Sequence, residues 1–554
     1  MSCSKSISYV LGDKKSNDLP HYFVELTESH LAVFEMLNSM CLLDDYDHLL
    51  FYLECQINET KILTIPPFDI CLILMTLVTI SGHYKEQFLR TSDTYNFTRE
   101  TMNNRAIKIL RFYLKVLRDF DTDKYQQYDL ELLRCQFFLA IDTLIPKTLR
   151  KKFFRSKRMK VDTSRVLYVE KLEDDTISLG TIENPYRSYI SCLEQKKTVI
   201  GNTLLTLKLS EPGEFINMIL WTLLTSLQDD TALYTSCHDV WIPLLDILID
   251  LFDLKHKYFL RNEIVRGISA TLFVQRLTES PLALFFRSFG TTQFTARFCE
   301  YVFVNCSYNL EYDDDFKTEI HPVYRGENRL SNLYIPRMRY TKMYKIRKSL
   351  SLRRNIVGAC LKLLVTVPNK HILTSPRIAS DTLIDQICVT LAKFSDVDQF
   401  KSFFFTDSLS QELYFIPLLA EGTLAELFYN SGKLVKNLDE KQPLRFMENL
   451  SNVDNYLLYC ADLFEKGFFM TESNQHITNV TLTEMRKTDV CLLVLLRYLL
   501  QFEMNHAIIS LPAYGKLLDT IKINDTNRQQ MLATHESKIK IPPLYPIVTQ
   551  MSQN

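Results

Sequence analysis

The sequence predicts an all-α protein built as irregular stacked helical hairpins, HEAT-like or α-solenoid-like, with no extended sheet. Three observations lead there. Apolar residues recur at i, i+3, i+4 and i+7 along most of the 554 residues, a spacing that places them on one face of a helix. Strand-like alternation is brief, as at Leu205, Leu207 and Leu209. No fixed period repeats, which disfavours an orderly tetratricopeptide or ankyrin array and leaves an irregular stack. A hydrophobic fraction of 46%, with 35 Phe and 28 Tyr, supplies a large core and rules out a wholly disordered chain.

Residues 1–20 are polar and read as a disordered segment. An N-terminal helical region follows over 21–146. Its first helix carries Leu26, Leu31, Phe34, Leu37 and Met40 on one face, with Thr27 placed to cap its start. Ile107, Leu110, Leu114 and Leu117 define a second apolar face, with Arg105, Lys108, Arg111, Lys115 and Arg118 on the other. Leu133, Phe137, Ile141 and Leu144 stack on a third helix. The pattern breaks over 147–183, a basic then acidic stretch that reads as a mobile connector. A central helical region spans 184–306 and includes FINMILWTLLTSLQ and WIPLLDILIDLFDL. An irregular charged loop covers 307–348. A C-terminal helical region spans 349–554, beginning with Leu352, Ile356, Cys360, Leu363 and Leu364 at helical spacing.

Composition excludes several kinds of chemistry. The chain has only 13 glycines, against about 39 for average usage. The closest two, Gly422 and Gly432, are ten residues apart. Loops that cradle phosphate need glycines close together so that backbone amides can approach the anion. A dinucleotide fingerprint, a P-loop and a nucleophile elbow are therefore all absent. The 13 cysteines stand singly, with no CxxC pair, so they offer no local zinc framework and fit a reducing compartment. A net charge of −1 excludes a generally basic nucleic-acid coat, so any basic surface is local. No apolar run reaches the roughly 20 residues of a membrane span. No cofactor is expected.

Cys237, His238 and Asp239 have the residue types of a thiol triad, but neighbours in sequence cannot face one another on a helix or strand. Asp313 to Asp315 lack the glycine and distal glutamate of a calcium loop. No catalytic residue emerges. The basic cluster Lys147, Arg150, Lys151, Lys152, Arg155, Lys157, Arg158 and Lys160 admits three readings: a solvated linker, a nuclear-import signal, or a salt-sensitive DNA contact. Just after it, Val166, Leu167, Tyr168 and Val169 precede Glu170, Glu173, Asp174 and Asp175. This resembles a SUMO-interacting motif, which adds a strand to the modifier's sheet while its acids meet a basic surface. The alternative is a buried strand end.

Longer blocks carry a wider resemblance. They include HYFVELTESHLAVFEMLNSMCLLDDYDH from His21, YDLELLRCQFFLAIDTL from Tyr128, NPYRSYISCLEQ from Asn184 and EPGEFINMILWTL from Glu211. FIPLLAEGTLAE from Phe415, DVCLLVLLRYLL from Asp489 and LYPIVTQM from Leu544 continue them. In order and over nearly the whole chain, they resemble the family of fifth non-SMC elements of the structural-maintenance-of-chromosomes (SMC) five/six complex. The segments around 147–183, 311–348 and 432–487 match it poorly, so the basic cluster and the SUMO-like motif draw no support from it. The resemblance implies a non-enzymatic, all-helical nuclear subunit. It implies an obligate heterodimer with the sixth non-SMC element, bound to the two SMC subunits. It further implies control of ATP turnover and DNA loading, a link to SUMO and its conjugating machinery, and roles in repair, recombination and stalled-fork recovery. DNA would be met mainly through the complex. Composition alone also allows a cytosolic α-solenoid adaptor in vesicle tethering or transport.

Overall fold

The computed structural model describes residues 20–59, 63–79, 101–145, 200, 204–209, 214–225, 232–265, 267, 269–290, 293–304, 306, 346–368, 371–394, 396–405, 415–430, 453–466, 479–501, 508–533 and 541–553. These residues are overwhelmingly helical, as the periodicity predicts. The one β element among them is a two-strand ribbon, β1 (Leu373–Thr374) and β2 (Arg377–Ile378). None of their helices is long and apolar enough to cross a membrane. The chain divides into two compact units, one comprising residues 1–294 and 313–377, the other residues 295–312 and 378–554.

The first unit begins with α1 (Glu28–Leu42), α2 (Tyr46–Glu59), α3 (Phe68–Val78), α4 (Met102–Asp119) and α5 (Gln127–Leu144). Thr27 caps α1 as expected, its Oγ1 accepting from the His30 N–H at 3.4 Å; Thr101 does the same for α4 through Asn104. Each satisfies one of the amides a helix start leaves unpaired, worth about 1 kcal/mol. Every residue of α3 is buried, because α1, α4 and α5 all pack around it. An apolar helix of this kind has no solvent face and becomes the centre of its layer.

Next come α6 (Leu205–Leu209), α7 (Glu214–Thr225), α8 (Ala232–Val265), α9 (Ala270–Leu277) and α10 (Pro281–Arg287), then α12 (Ile346–Val365). The alternation at Leu205 to Leu209 does not make a strand. The segment is helical and packs on α3 and α5, with Leu205 and Leu209 buried. Five residues are too few for period-2 and helical burial to be told apart by hydropathy alone.

The 34-residue α8 packs against α4, α5, α7, α10 and α12. It ends at Gly267, whose φ of +59° is the left-handed conformation that favours glycine after a helix. Asn355 donates to Asp246 at 2.8 Å and Lys362 to Asp253 at 3.2 Å. Both pairs are 109 residues apart in sequence, so α8 and α12 run parallel. Parallel neighbours cannot be joined by a tight hairpin turn, and here α9, α10 and a long stretch of chain intervene.

The second unit contains most of α11 (Phe294–Val302), followed by α13 (Ser380–Ala392), α14 (Val397–Phe404), α15 (Phe415–Asn430), α16 (Val453–Lys466), α17 (Asn479–Gln501), α18 (Pro512–Ala533) and α19 (Leu544–Gln553). α15 packs between α13 and α17, while α16 pairs with α18 rather than with its sequence neighbour. Phe303, Phe394, Phe400, Phe403 and Phe404 interlock in edge-on contacts with centroids 4.9–6.4 Å apart, adding geometry-specific energy to area burial.

The approach of α13 to α15 depends on one missing Cβ. A Cβ on Gly422 would lie 2.5 Å from the Cys388 Sγ. Gly422→Ala should therefore destabilise the chain by about 1–3 kcal/mol, although alanine is the better helix former. The same change in a Cys388→Ala background should cost far less, since the next atom, the Cys388 Cβ, is 3.5 Å away. Urea unfolding of the four-member mutant cycle measures the coupling, and additive losses would place the close contact elsewhere.

Candidate functional site

Buried polar side chains are where catalysis would show itself, and here several of them serve helix ends. The amide of Phe68, which opens α3 after Pro67, donates to Gln136 Oε1 of α5 at 3.0 Å. The Leu205 N–H at the start of α6 donates to Thr76 Oγ1 of α3 at 3.3 Å. The Tyr545 N–H at the start of α19 donates to Asp525 of α18 at 2.7 Å. Carbonyls at the other ends are treated likewise. Arg353, fully buried, donates to Leu223 O near the end of α7 at 2.8 Å, and Lys487 donates to Ala392 O, the last of α13, at 2.7 Å. Asn524 donates to Phe464 O in the last turn of α16 at 3.3 Å. A cation at a helix C-terminus meets both an unpaired carbonyl and the negative end of the dipole.

Several other buried charges are paired. Arg105 is buried and forked between Glu54, at 2.7 and 2.8 Å, and Asp47 at 2.5 Å. This corrects the sequence expectation that Arg105 shares the solvent face of α4. It lies one helical position off that stripe, and its partners on α2 are more than 50 residues away in sequence. Lys255 pairs with Asp142 at 2.6 Å and donates to Phe138 O at 2.9 Å. The Tyr22 hydroxyl also donates to Asp142, which ties the segment before α1 to α5 and α8.

On α8 itself, Asp246, Asp250 and Asp253 follow a helical stripe facing Asn355, Arg118 and Lys362 respectively. Burial raises Asp250 to about 6, only partly offset by Arg118, and Asp246 and Asp253 raise it further. One turn on, His256 is buried with neither ring nitrogen hydrogen-bonded. Burial lowers it to about 4, opposed by Asp253 and reinforced by Lys362. An imidazole without an orienting partner is poorly placed for acid–base work.

The thiols are insulated. Cys41, Cys71, Cys135, Cys299, Cys306, Cys360, Cys388, Cys460 and Cys491 are buried and Cys55 is partly so, and burial pushes Cys299 and Cys388 up to about 12, far from a reactive thiolate. No three His, Cys, Asp or Glu among the described residues gather as a metal site. A small cleft of about 10 Å³ beside α2 and α4 is lined by Gln56, Ile57, Leu63, Thr64, Phe112, Tyr113 and Tyr125, which include no carboxylate, imidazole, amine or thiol. Cys237, His238 and Asp239 fall in consecutive positions of α8.

The basic cluster 147–160, the SUMO-like motif 166–175 and the acidic run 313–315 lie outside the described residues. What the sequence did not reveal is the set of long-range caps. The available signal was a polar residue inside an apolar helix, such as Thr76 within FDICLILMTLV or Gln136 within LLRCQFFLAI.

The family model described as DNA repair proteins Nse5 and Nse6 matches residues 1–511. The chain is also 50% identical over 535 residues to Non-structural maintenance of chromosome element 5 of Saccharomyces cerevisiae, covering 96% of this chain and 95% of that protein. A match that runs through both units, from the α1 region to α17 and beyond, is one of whole architecture rather than of a shared motif. This chain therefore belongs to the family of DNA repair proteins Nse5 and Nse6.

Proposed function

We propose that this chain is a non-catalytic regulatory subunit of the SMC five/six complex. In this reading it acts in the nucleus on chromosomes, in repair, recombination and stalled-fork recovery. It pairs with the sixth non-SMC element, and the pair binds the two SMC subunits to control their ATPase state and loading on DNA. The observation that carries the reading is the near full-length family match. Buried polar side chains that cap helix ends or pair with one another support it, since they suit a subunit that works through its surface. Its control is thermodynamic: it binds one arrangement of the SMC heads better than another and shifts their populations by that difference. About 2 kcal/mol of differential affinity changes the ratio roughly 30-fold, so no covalent step is required.

The test is to purify the tagged full chain from nuclear extract in high salt, then assay SMC ATP turnover with and without it. Retention of the sixth element and both SMC proteins, with turnover restrained only when the chain is present, is the expected result. Recovery of tethering or coat components instead would overturn it. The segment Val166 to Asp175 is proposed as the contact with SUMO. The Lys147–Lys160 cluster is proposed as an import signal or phosphate contact. Loss of SUMO capture on Val166→Ala/Leu167→Ala/Val169→Ala is the expected outcome for the first.

A further inference from the structure

Beyond that regulatory reading, we propose that the outward face of α4 is a contact for the phosphate backbone of DNA, carried by Lys108, Arg111 and Lys115 with Arg118 at its end. All four are exposed, and their 3-4-3 spacing keeps them on one side of the helix. Over these positions α4 advances about 15 Å, the distance in which one DNA strand presents about four phosphates. No Asp or Glu occurs in α4 before its last residue, Asp119.

The treatment of Arg105 on the same helix sharpens the contrast. Where that cation turns inward, two carboxylates meet it. Arg118 is paired with Asp250 yet remains half-exposed. Arg111 and Lys115 enter no ion pair among the described residues. The chain is close to electroneutral overall, so a single-sign stripe is a local feature and not a by-product of net charge.

The chemistry of the face favours a polyanion over a protein. A protein interface needs an apolar centre with charges at its rim, whereas the exposed positions of α4 from 104 to 118 are Asn104, Lys108, Arg111, Lys115 and Arg118. Point-charge contacts of this kind bind without sequence preference and weaken steeply with salt.

The test uses the full chain and a fluorescently labelled 30-base-pair duplex, with anisotropy titrations between 50 and 200 mM salt. Lys108→Gln/Arg111→Gln/Lys115→Gln should keep the thermal midpoint, because the sites are exposed and Gln is a good helix former. It should flatten the slope of log affinity against log salt by about 2–3, and weaken binding at 100 mM salt at least ~10-fold. A charge-matched control, Lys401→Gln/Lys516→Gln/Lys522→Gln at exposed positions of α14 and α18, should leave the slope unchanged. Neutralising the 147–160 cluster in a separate chain should leave the α4 contribution intact. The proposal falls if the wild-type chain fails to bind the duplex at 50 mM salt, or if the triple variant keeps its slope. It falls equally if the control loses as much as the triple variant. Unchanged DNA binding with loss of a co-purifying SMC subunit would also overturn it and assign the face to an acidic protein.

Discussion

Replacing Arg528 with alanine should lower the stability of the full chain by about 3–5 kcal/mol. Its guanidinium grips Asp489 bidentately, at 2.6 and 2.9 Å, and the two side chains are only 4% and 7% exposed. Burial already holds Asp489 near 6 with the arginine in place, so removing the cation strands a carboxylate that must ionise without a partner or take up a proton. A carboxyl raised in the folded state stabilises at low pH and loses that contribution as pH rises through its folded pKa. The defect of Arg528→Ala should consequently be smaller at pH 5 than at pH 8. Arg528→Leu with Asp489→Leu should recover most of the loss, because replacing both members of a buried pair with packed apolar groups is often neutral. Urea unfolding at the two pH values measures all three. A loss below about 1 kcal/mol for Arg528→Ala would mean that water reaches the pair.

The all-α class was legible in the sequence because it depends on local periodicity. Ile107, Leu110, Leu114 and Leu117 are all buried on α4, as their spacing requires, and Thr27 caps α1 because capping is a three-residue event. What failed was everything decided by distant partners. Arg105 reads as one more solvent-facing cation until α2 brings Asp47 and Glu54 to it. Leu205 to Leu209 read as alternation until Thr76 caps the segment as a helix. The parallel run of α8 and α12 is set by pairings 109 residues apart, beyond any window of periodicity. Family membership was legible for a different reason. Seven long blocks, kept in order, specify a whole architecture even though none of them carries a chemical motif.

The polar stripe of α8 should show a pH dependence that appears only when one of its two titrating members is removed. Asp250 is raised from 3.8 to about 6, so its contribution to stability is present below pH 4 and is lost as pH rises to 6. His256 is lowered from 6.5 to about 4, so its contribution is present above pH 6.5 and is lost as pH falls through 4. Between pH 4 and 6 the folded chain holds a proton on Asp250 that the unfolded chain has released. Over the same range the unfolded chain holds one on His256 that the folded chain refuses. The two slopes have opposite signs and nearly cancel. In His256→Phe, which keeps a ring against Phe259, stability should fall by about 3 kcal/mol relative to wild type as pH rises from 4 to 6. In Asp250→Asn it should rise over the same interval, by less than about 3 kcal/mol because that carboxylate is 27% exposed and screened. The groups facing this pair, Arg118, Asp246, Asp253 and Lys362, keep their identity in both variants. Parallel curves for wild type and both variants would mean that neither group titrates differently on folding. The stripe would then be held by its pairings with α4 and α12 alone. Opposite slopes would instead identify α8 as the place where this scaffold stores two opposed protonation costs between α4 and α12.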